Sequence, residues 1–243
     1  VILVKKMLQS ISILIFMIIK LIKKTYSFFI FSKRKLFFTL RRLLNKKDIW
    51  SVYNFKNYNE YLELQKAKTL NHTKRSLWLK EEWNLKLEYF ENKFSNIINT
   101  YSIKSKSNSI CLGARTGQEV KAFRNLDIES IGIDIVPNEP LVIFGDIHEI
   151  PFNNNKFDIV FTNIVDHSLY PNKLVEESER VCKKDGIIIF HITVGKATDK
   201  FGVTEILKSQ SVENLFKNSK ILKSQHMEPW HGLNWEIILK KNS

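Results

Sequence analysis

The sequence predicts an α/β protein with a Rossmann-like, doubly wound and mostly parallel seven-stranded sheet whose last strand is antiparallel, preceded by a helical N-terminal extension. Three observations predict this fold. From Ser109 onward, short β-rich runs alternate with helix-like segments, as in a parallel sheet covered by helices on both faces. The central runs are almost continuously apolar, which is typical of strands buried on both faces. The last two runs have no helix between them, which indicates an antiparallel edge.

The predicted elements follow from these patterns. The predicted strands are 109–112, 131–134, 141–144, 157–163, 186–192, 220–227 and 234–239. The predicted helices of the same region are 119–125, 172–182, 204–207 and 212–216.

Residues 57–100 contain no Gly or Pro and repeat leucines and aromatic residues at helical spacing, so we predict two helices that break near Asn71-His72-Thr73. We expect these helices to pack on the α/β core or to cover its ligand cleft. The polar stretch 102–109 is rich in Ser and Lys and is predicted to be a domain boundary. The chain is therefore divided into 1–47, 48–105 and 106–243.

The positive charge is concentrated at the N-terminus. The formal net charge is +13, and residues 1–47 hold twelve Lys or Arg and no acid, which leaves 26 basic and 25 acidic residues downstream. A nearly neutral folded domain argues against a nucleic-acid-binding face, which normally carries its own basic patch. Cys111 and Cys182 lie far apart, in or beside apolar runs, without metal-ligand spacing. We therefore expect buried cysteines in a reducing compartment and no metal site.

The N-terminal segment 1–47 is both basic and apolar. Residues 7–19 carry no charge, and a helix of that length spans about 20 Å, whereas a bilayer core needs about 30 Å. Aromatic and cationic residues then interleave over 28–42, which suits an anionic membrane surface. In-plane attachment to a membrane is therefore favoured.

Two alternatives to in-plane attachment stay open. One is a short signal-anchor span, in which the positive charge after the apolar run places the domain in the cytoplasm. The other is a cleaved targeting peptide or a partner-binding helix, although no small-residue cleavage site follows the apolar run. We expect a membrane-associated protein with a cytoplasmic catalytic domain, and the oligomeric state is not predicted.

Candidate ligand-binding residues follow the predicted strands, because ligands of open α/β sheets bind at the carboxyl ends of the strands near the topological switch point. The first strand runs into a glycine loop that contains Gly113, Arg115, Thr116 and Gly117 and leads into a helix. Such a turn lets a ligand approach the backbone closely. Asp134 closes the next strand, seventeen positions after Gly117, where a carboxylate can accept hydrogen bonds from both ribose hydroxyls.

Two further loops hold polar side chains at the same edge of the sheet. After the third strand, Asp146 can bond an adenine amino group while Ile147 packs on the ring. The segment 163–171, after the fourth strand, holds Asn163, Asp166 and His167 beside the expected reacting centre.

The order of these segments resembles the class I S-adenosylmethionine-dependent methyltransferases, and most closely the type 11 group. The stretches CLGARTGQEV, IGID, GD, PF, FD, DH and YP, between residues 110 and 192, are similar to a subset that includes membrane-anchored plant members. The resemblance is strong over about a third of the chain, and it extends to the last fifty residues only through the order of the strands.

The resemblance implies S-adenosyl-L-methionine as the cofactor. It assigns Gly113 and Gly117 to the amino-acid part of the cofactor, Asp134 to ribose and Asp146 to adenine. Neighbouring positions are expected to complete the site: Thr116, Ile135, Ile147 and Asn163. Arg115 stands where the commoner loop of the family has Gly. There it can clamp the cofactor carboxylate or narrow the pocket.

The residues leave the acceptor open. A hydroxyl or amine acceptor needs a base within hydrogen-bond reach, for which Asp166 and His167 are the first candidates and His191, at the end of the fifth strand, is the next. Asp166 and His167 can equally serve only to cap the following helix. We expect a membrane-attached methyltransferase acting on a small-molecule, lipid or glycan acceptor. The alternative is a catalytically inactive binding or scaffold protein of the same fold at a membrane.

Overall fold

The computed structural model describes residues 48–195 and 201–242. The predicted membrane-associating segment 1–47 lies outside the described residues. Residues 48–243 form one compact unit. Among the described residues, no helix combines the length and apolar character that a membrane crossing requires.

Strands and helices alternate along most of the described chain. The strands are β1 Ile49–Ser51, β2 Asn108–Leu112, β3 Glu129–Asp134, β4 Val142–Phe144, β5 Phe157–Thr162, β6 Cys182–Ile192, β7 Thr204–Ile206, β8 Ser219–Trp230 and β9 Leu233–Lys241. The α-helices are α1 Tyr58–Thr69, α2 His72–Lys80, α3 Trp83–Thr100, α4 Gln118–Asn125, α5 Pro171–Val181 and α6 Gln210–Glu213, and Val165–His167 forms a 3₁₀ turn.

Seven strands form the main sheet in the order β4-β3-β2-β5-β6-β9-β8, which confirms the predicted fold class. The first five of these strands are parallel, and β9 pairs antiparallel with both β6 and β8. After β2, the chain adds β3 and β4 on one side of β2 and then crosses to its other side, where it adds β5 and β6. The topological switch point therefore lies between β2 and β5, where ligands of such sheets bind.

Both faces of the sheet are covered by a hydrophobic core. On one face, α3 and α4 pack with alternate residues of the strands, and Phe94 stacks on Phe123 with ring centroids 3.8 Å apart. On the other face, α5 contributes Leu174 and Val175. Because α3 is part of this packing, it lies on the sheet even though it precedes residue 105. The functional division of the chain at that residue stays a prediction.

The region 48–105 contains three helices where the sequence predicted two. The break near Asn71 is confirmed, and the Asn71 side chain caps α2 by accepting a hydrogen bond from the Lys74 amide. A second break follows Lys80. No glycine or proline marks it, and the amides of Glu81 and Glu82 both bond the Leu77 carbonyl. This break therefore carries no signal in the local sequence.

The prediction of a helix at 204–207 was wrong. Thr204–Ile206 is strand β7, which pairs antiparallel with Ile49–Ser51, so that Ile206 faces Ile49. The partner strand lies about 150 positions away in the sequence, and three residues are too few to show a strand period. The short helix predicted at 212–216 forms slightly earlier, at Gln210–Glu213.

Candidate functional site

The glycine loop after β2 requires glycine at both of its ends. Gly113 has φ +71°, and a Cβ atom built on it would lie 2.5 Å from Cγ1 of Ile164. Gly117 has φ +92° and precedes α4, and its Cβ would lie 2.8 Å from that of Leu141. A side chain at either position would meet both steric strain and a neighbour. The loop itself therefore requires both glycines, and the close approach of a ligand to its backbone stays a prediction.

Arg115 joins the glycine loop to the strand beside it and to the covering helices. Its backbone N–H donates to Oδ2 of Asp134 over 3.0 Å. Its guanidinium lies over the ring of Trp78 in α2, 4.3 Å from the ring centroid. Such a cation–π contact holds the charge at the mouth of the loop.

Thr116 has a positioning role inside the protein. It is buried, and its hydroxyl donates to the side chain of Gln118 over 2.6 Å. The Gln118 amide group donates in turn to the Trp78 carbonyl over 2.9 Å. This chain of bonds fixes α2 against the glycine loop.

Asp134 closes β3 and is almost fully buried. One carboxylate oxygen accepts from the Arg115 amide and the other from the Val136 amide, over 3.0 and 2.9 Å. Burial raises the pKa of this carboxyl, and the two amides and the Arg115 charge oppose that rise. Each oxygen keeps a second acceptor position, so the carboxylate can receive two hydroxyl donors.

Asp146, which follows β4, is held in a network that the sequence did not predict. Its Oδ2 accepts from the Tyr58 hydroxyl over 2.6 Å, and its Oδ1 accepts from the His148 amide over 2.8 Å. Burial would raise the pKa of this carboxyl, but the hydrogen bonds from His148 and Tyr58 outweigh it and hold the pKa below its ordinary value. Asp146 is therefore ionised at neutral pH. The network continues from the His148 ring to Ser168, with 2.8 Å between Nε2 and Oγ.

Tyr58 belongs to α1, which covers this part of the sheet mostly through polar contacts. The Tyr61 hydroxyl donates to the His167 carbonyl over 3.1 Å, and the Gln65 amide group donates to the Phe201 carbonyl over 3.0 Å. Tyr61 and Lys68 are buried, although α1 as a whole is polar. No apolar stripe in the sequence marks α1 as part of the site.

The 3₁₀ turn after β5 carries Asp166 and His167, both predicted as candidate bases. Nδ1 of His167 donates to the Phe201 carbonyl over 3.0 Å, so Nε2 is its acceptor atom, and Lys68 lies 2.7 Å from Nε2. Oδ2 of Asp166 is 3.7 Å from the same nitrogen. The structure thus groups three titratable side chains, of which Lys68 was missed by the sequence reasoning.

His191 is separated from this group. It is fully buried in β6, where Nε2 lies 3.2 Å from the Glu236 carboxylate, and it lines neither of the two cavities at the carboxyl ends of the strands. Burial lowers its pKa, against the influence of Glu236, so it is neutral at neutral pH.

The two cavities at this edge of the sheet share part of their lining. The first, of about 510 Å³ including its open mouth, is lined by Asp134, Ile135, Asp146 and Ile147 and by residues of α1. The second, of about 1380 Å³ including its open mouth, lies between the glycine loop, α2 and the β8–β9 turn. Five residues line both: Lys68, Gly113, Arg115, Ile164 and His167. The candidate base His167 therefore lies where the cavities meet.

Asn163 and Glu119 line the second cavity together. The Asn163 amide group donates to Oε1 of Glu119 over 3.0 Å. Oε2 of Glu119 is buried and has no hydrogen-bond partner among residues 48–195 and 201–242. Burial raises the pKa of this carboxyl. Asn163 was predicted as a site residue, whereas Glu119 was not.

These side chains fit the chemistry of S-adenosylmethionine. Asp134 and Asp146 offer acceptors for a ribose diol and an adenine amino group, with Ile135 and Ile147 as apolar surface beside them. The second cavity adds a cation in Arg115 and a buried carboxylate oxygen without a donor among the described residues. A ligand with a nucleoside at one end and a zwitterionic amino acid at the other matches this set.

Comparisons with known proteins agree with the fold. Residues 110–190 match the type 11 family model of a methyltransferase domain. The 1,6-didemethyltoxoflavin-N1-methyltransferase of Burkholderia thailandensis, solved with S-adenosylhomocysteine, superimposes with a TM-score of 0.60 at 13% identity, covering 80% of this chain and 95% of that one. No curated protein matches the sequence.

Two further structures show how broadly this fold is used. A sarcosine dimethylglycine methyltransferase described from Galdieria sulphuraria gives a TM-score of 0.52 at 15% identity and covers 63% of this chain and 85% of that one. The [4+2]-cyclase SpnF gives 0.51 at 13% identity, with 63% and 80% covered. Likeness at these identities shows the fold alone, and the family match adds that residues 110–190 carry a methyltransferase domain.

Proposed function

We propose that the protein transfers a methyl group from S-adenosylmethionine to a small molecule held in the second cavity. The nucleoside of the cofactor lies in the first cavity, and its amino-acid part extends past Arg115 into the second. The observation that carries the proposal is the pair of carboxylates, buried Asp134 and half-buried Asp146, that line one cavity, whose lining residue His167 also lines a larger one. The cofactor supplies an activated methyl group on a sulfonium. Alignment of an acceptor with that group provides much of the rate of such a displacement.

Each site residue then has a defined task. Asp134 accepts both ribose hydroxyls, and Asp146 accepts the adenine amino group through the acceptor positions that Tyr58 and His148 leave. Arg115 binds the carboxylate of the amino-acid part. His167, with Nδ1 protonated, has Nε2 as its basic atom and can take a proton from the acceptor once Lys68 moves off that nitrogen.

The second cavity supports a small-molecule acceptor with aromatic or apolar surface. Phe90, Trp78 and Trp230 line it, together with Leu77 and Leu233. Its mouth lies between α2 and the β8–β9 turn. A molecule with one polar reacting atom on an apolar body suits these walls, and this description includes the reactive end of a lipid.

Ligand binding tests the cofactor assignment. We expect the full-length chain to bind S-adenosylhomocysteine in calorimetry and Asp134→Asn to weaken that binding by ten- to a hundredfold. The reason is that hydrogen bonds to a charged acceptor contribute about 1.5–3 kcal/mol. Asp185→Asn is the matched control, since Asp185 is exposed and pairs with Lys240 at the sheet end. If the wild-type chain fails to bind S-adenosylhomocysteine at millimolar concentration, the proposed function is wrong.

We also propose that residues 1–47 attach the protein to an anionic membrane surface, with the domain on the cytoplasmic side. Twelve basic and no acidic residues in this segment, interleaved with aromatic residues, support the proposal. Deleting 1–47 is expected to abolish sedimentation with vesicles of phosphatidylcholine and phosphatidylserine and to leave binding of S-adenosylhomocysteine within twofold. If the truncated chain still sediments with the vesicles at high salt, the segment is not the attachment site.

A further inference from the structure

Glu119 is a buried carboxylate whose hydrogen bonding is incomplete. It lies in the first turn of α4, with about 9% of its surface exposed. Asn163 donates to its Oε1 over 3.0 Å, whereas its Oε2 has no donor within the described part of the chain. An unpaired buried acceptor costs free energy, and more when it is charged. The side chain is therefore poised to accept a hydrogen bond from a ligand.

The surroundings of Glu119 favour a cationic donor. It lines the second cavity beside the glycine loop, with Gly113, Arg115 and Asn163 as neighbours in the same wall. The cations whose charge reaches it are Arg115 and Lys86, and Lys86 is already paired with Glu82 over 2.7 Å. The N-terminal turn of a helix also stabilises an ionised carboxylate. A charged amine that lies against this wall of the cavity would donate the hydrogen bond that Oε2 of Glu119 lacks.

We propose that Glu119 receives the ammonium group of the amino-acid part of S-adenosylmethionine, opposite Arg115, which binds the carboxylate of the same part. The inference rests on the proposed function and adds a specificity residue to it. Glu119 and Arg115 thus bind the two charged groups of the amino-acid part. Glu119 thereby selects cofactors that carry the amine over adenosine derivatives that lack it.

The test compares Glu119→Gln with the wild-type chain on two ligands by calorimetry. S-adenosylhomocysteine carries the amino-acid part, and 5′-methylthioadenosine lacks it. We expect the substitution to weaken binding of the first ligand tenfold or more and of the second by less than twofold. Binding of 5′-methylthioadenosine also reports that the variant is folded. Glu129→Gln, an exposed residue at the start of β3, is the matched control and is expected to change neither affinity.

A second measurement needs no variant. We expect the wild-type chain to bind a deaminated analogue of S-adenosylhomocysteine at least tenfold more weakly than S-adenosylhomocysteine itself. Equal binding of the two overturns the proposal, as does a Glu119→Gln variant that loses affinity for both test ligands equally or for neither. If the wild-type chain binds none of the ligands, the proposed function fails together with the inference.

Discussion

Substituting Gly113 by alanine tests the central contact of the site. The alanine must adopt φ near +71°, and its Cβ would lie 2.5 Å from Cγ1 and 3.2 Å from Cδ1 of Ile164, which is 8% exposed. The left-handed backbone costs an L residue about 1–2 kcal/mol. Overpacking against a buried side chain adds about 1–3 kcal/mol. We expect Gly113→Ala to lower the free energy of unfolding by about 2–5 kcal/mol.

A double-mutant cycle separates the two costs. Ile164→Ala alone removes a buried side chain and is expected to cost about 2–5 kcal/mol. In the Ile164→Ala protein, Gly113→Ala should lower the free energy of unfolding only by the cost of the left-handed backbone. The coupling free energy between the two positions should therefore be about 1–3 kcal/mol. Urea unfolding of the four proteins measures it. Because both residues line both cavities, Gly113→Ala should also weaken binding of S-adenosylhomocysteine.

Gly195 provides the control for this cycle. It also has a positive φ, +108°, but no atom of residues 48–195 or 201–242 lies within 4 Å of a Cβ built on it. Gly195→Ala should therefore be additive with Ile164→Ala. A coupling free energy near zero between Gly113→Ala and Ile164→Ala would show that the close contact with Ile164 does not cause the loss of stability.

Two further predictions concern stability. Phe94→Ala should cost about 3–5 kcal/mol in urea unfolding, because Phe94 is fully buried and stacks on Phe123; a cost under about 1 kcal/mol would mean that α3 is not part of the core. Burial would raise the pKa of Glu236, but hydrogen bonds from His191 and Lys223 hold it at about 2, below its ordinary 4.5. A lowered carboxyl pKa stabilises the fold above pH 4.5, and this contribution is lost as the pH falls toward 2. Thermal unfolding of the wild type should therefore show a steeper loss of stability across this range than Glu236→Gln, and parallel curves would contradict the assignment.

Much of the lining of the first cavity was predictable from the sequence, because a parallel sheet brings the ends of its strands to one edge. Gly113, Asp134 and Asp146 each follow or close a strand, so their order along the chain was enough to place them together. The contributions of α1 were not predictable. Tyr58 hydrogen-bonds Asp146 across 88 positions and Lys68 lies beside His167 across 99, and α1 has no apolar stripe that marks its buried side.

The candidate bases also show that contacts between distant elements could not be predicted from the sequence. The sequence made His167 a first candidate and His191 the next, since each lies at or just beyond the end of a central strand. In the structure His167 lies where the two cavities meet, whereas His191 is buried against Glu236 in the sheet. A strand alternates its side chains between faces, and only the packing of the neighbouring elements decides which face opens to a ligand.

The fold class, the glycine loop and the positions of Asp134 and Asp146 followed from the sequence, because they depend on strand period and on local turn chemistry. Which side chains surround them depends on the three-dimensional packing. Arg115 stacks on Trp78, Lys68 reaches His167, and Oε2 of Glu119 stays without a donor among the described residues because elements far apart in the chain meet there. Hydrogen bonds and ring contacts between distant residues depend on atomic positions, which no local pattern of residue types encodes.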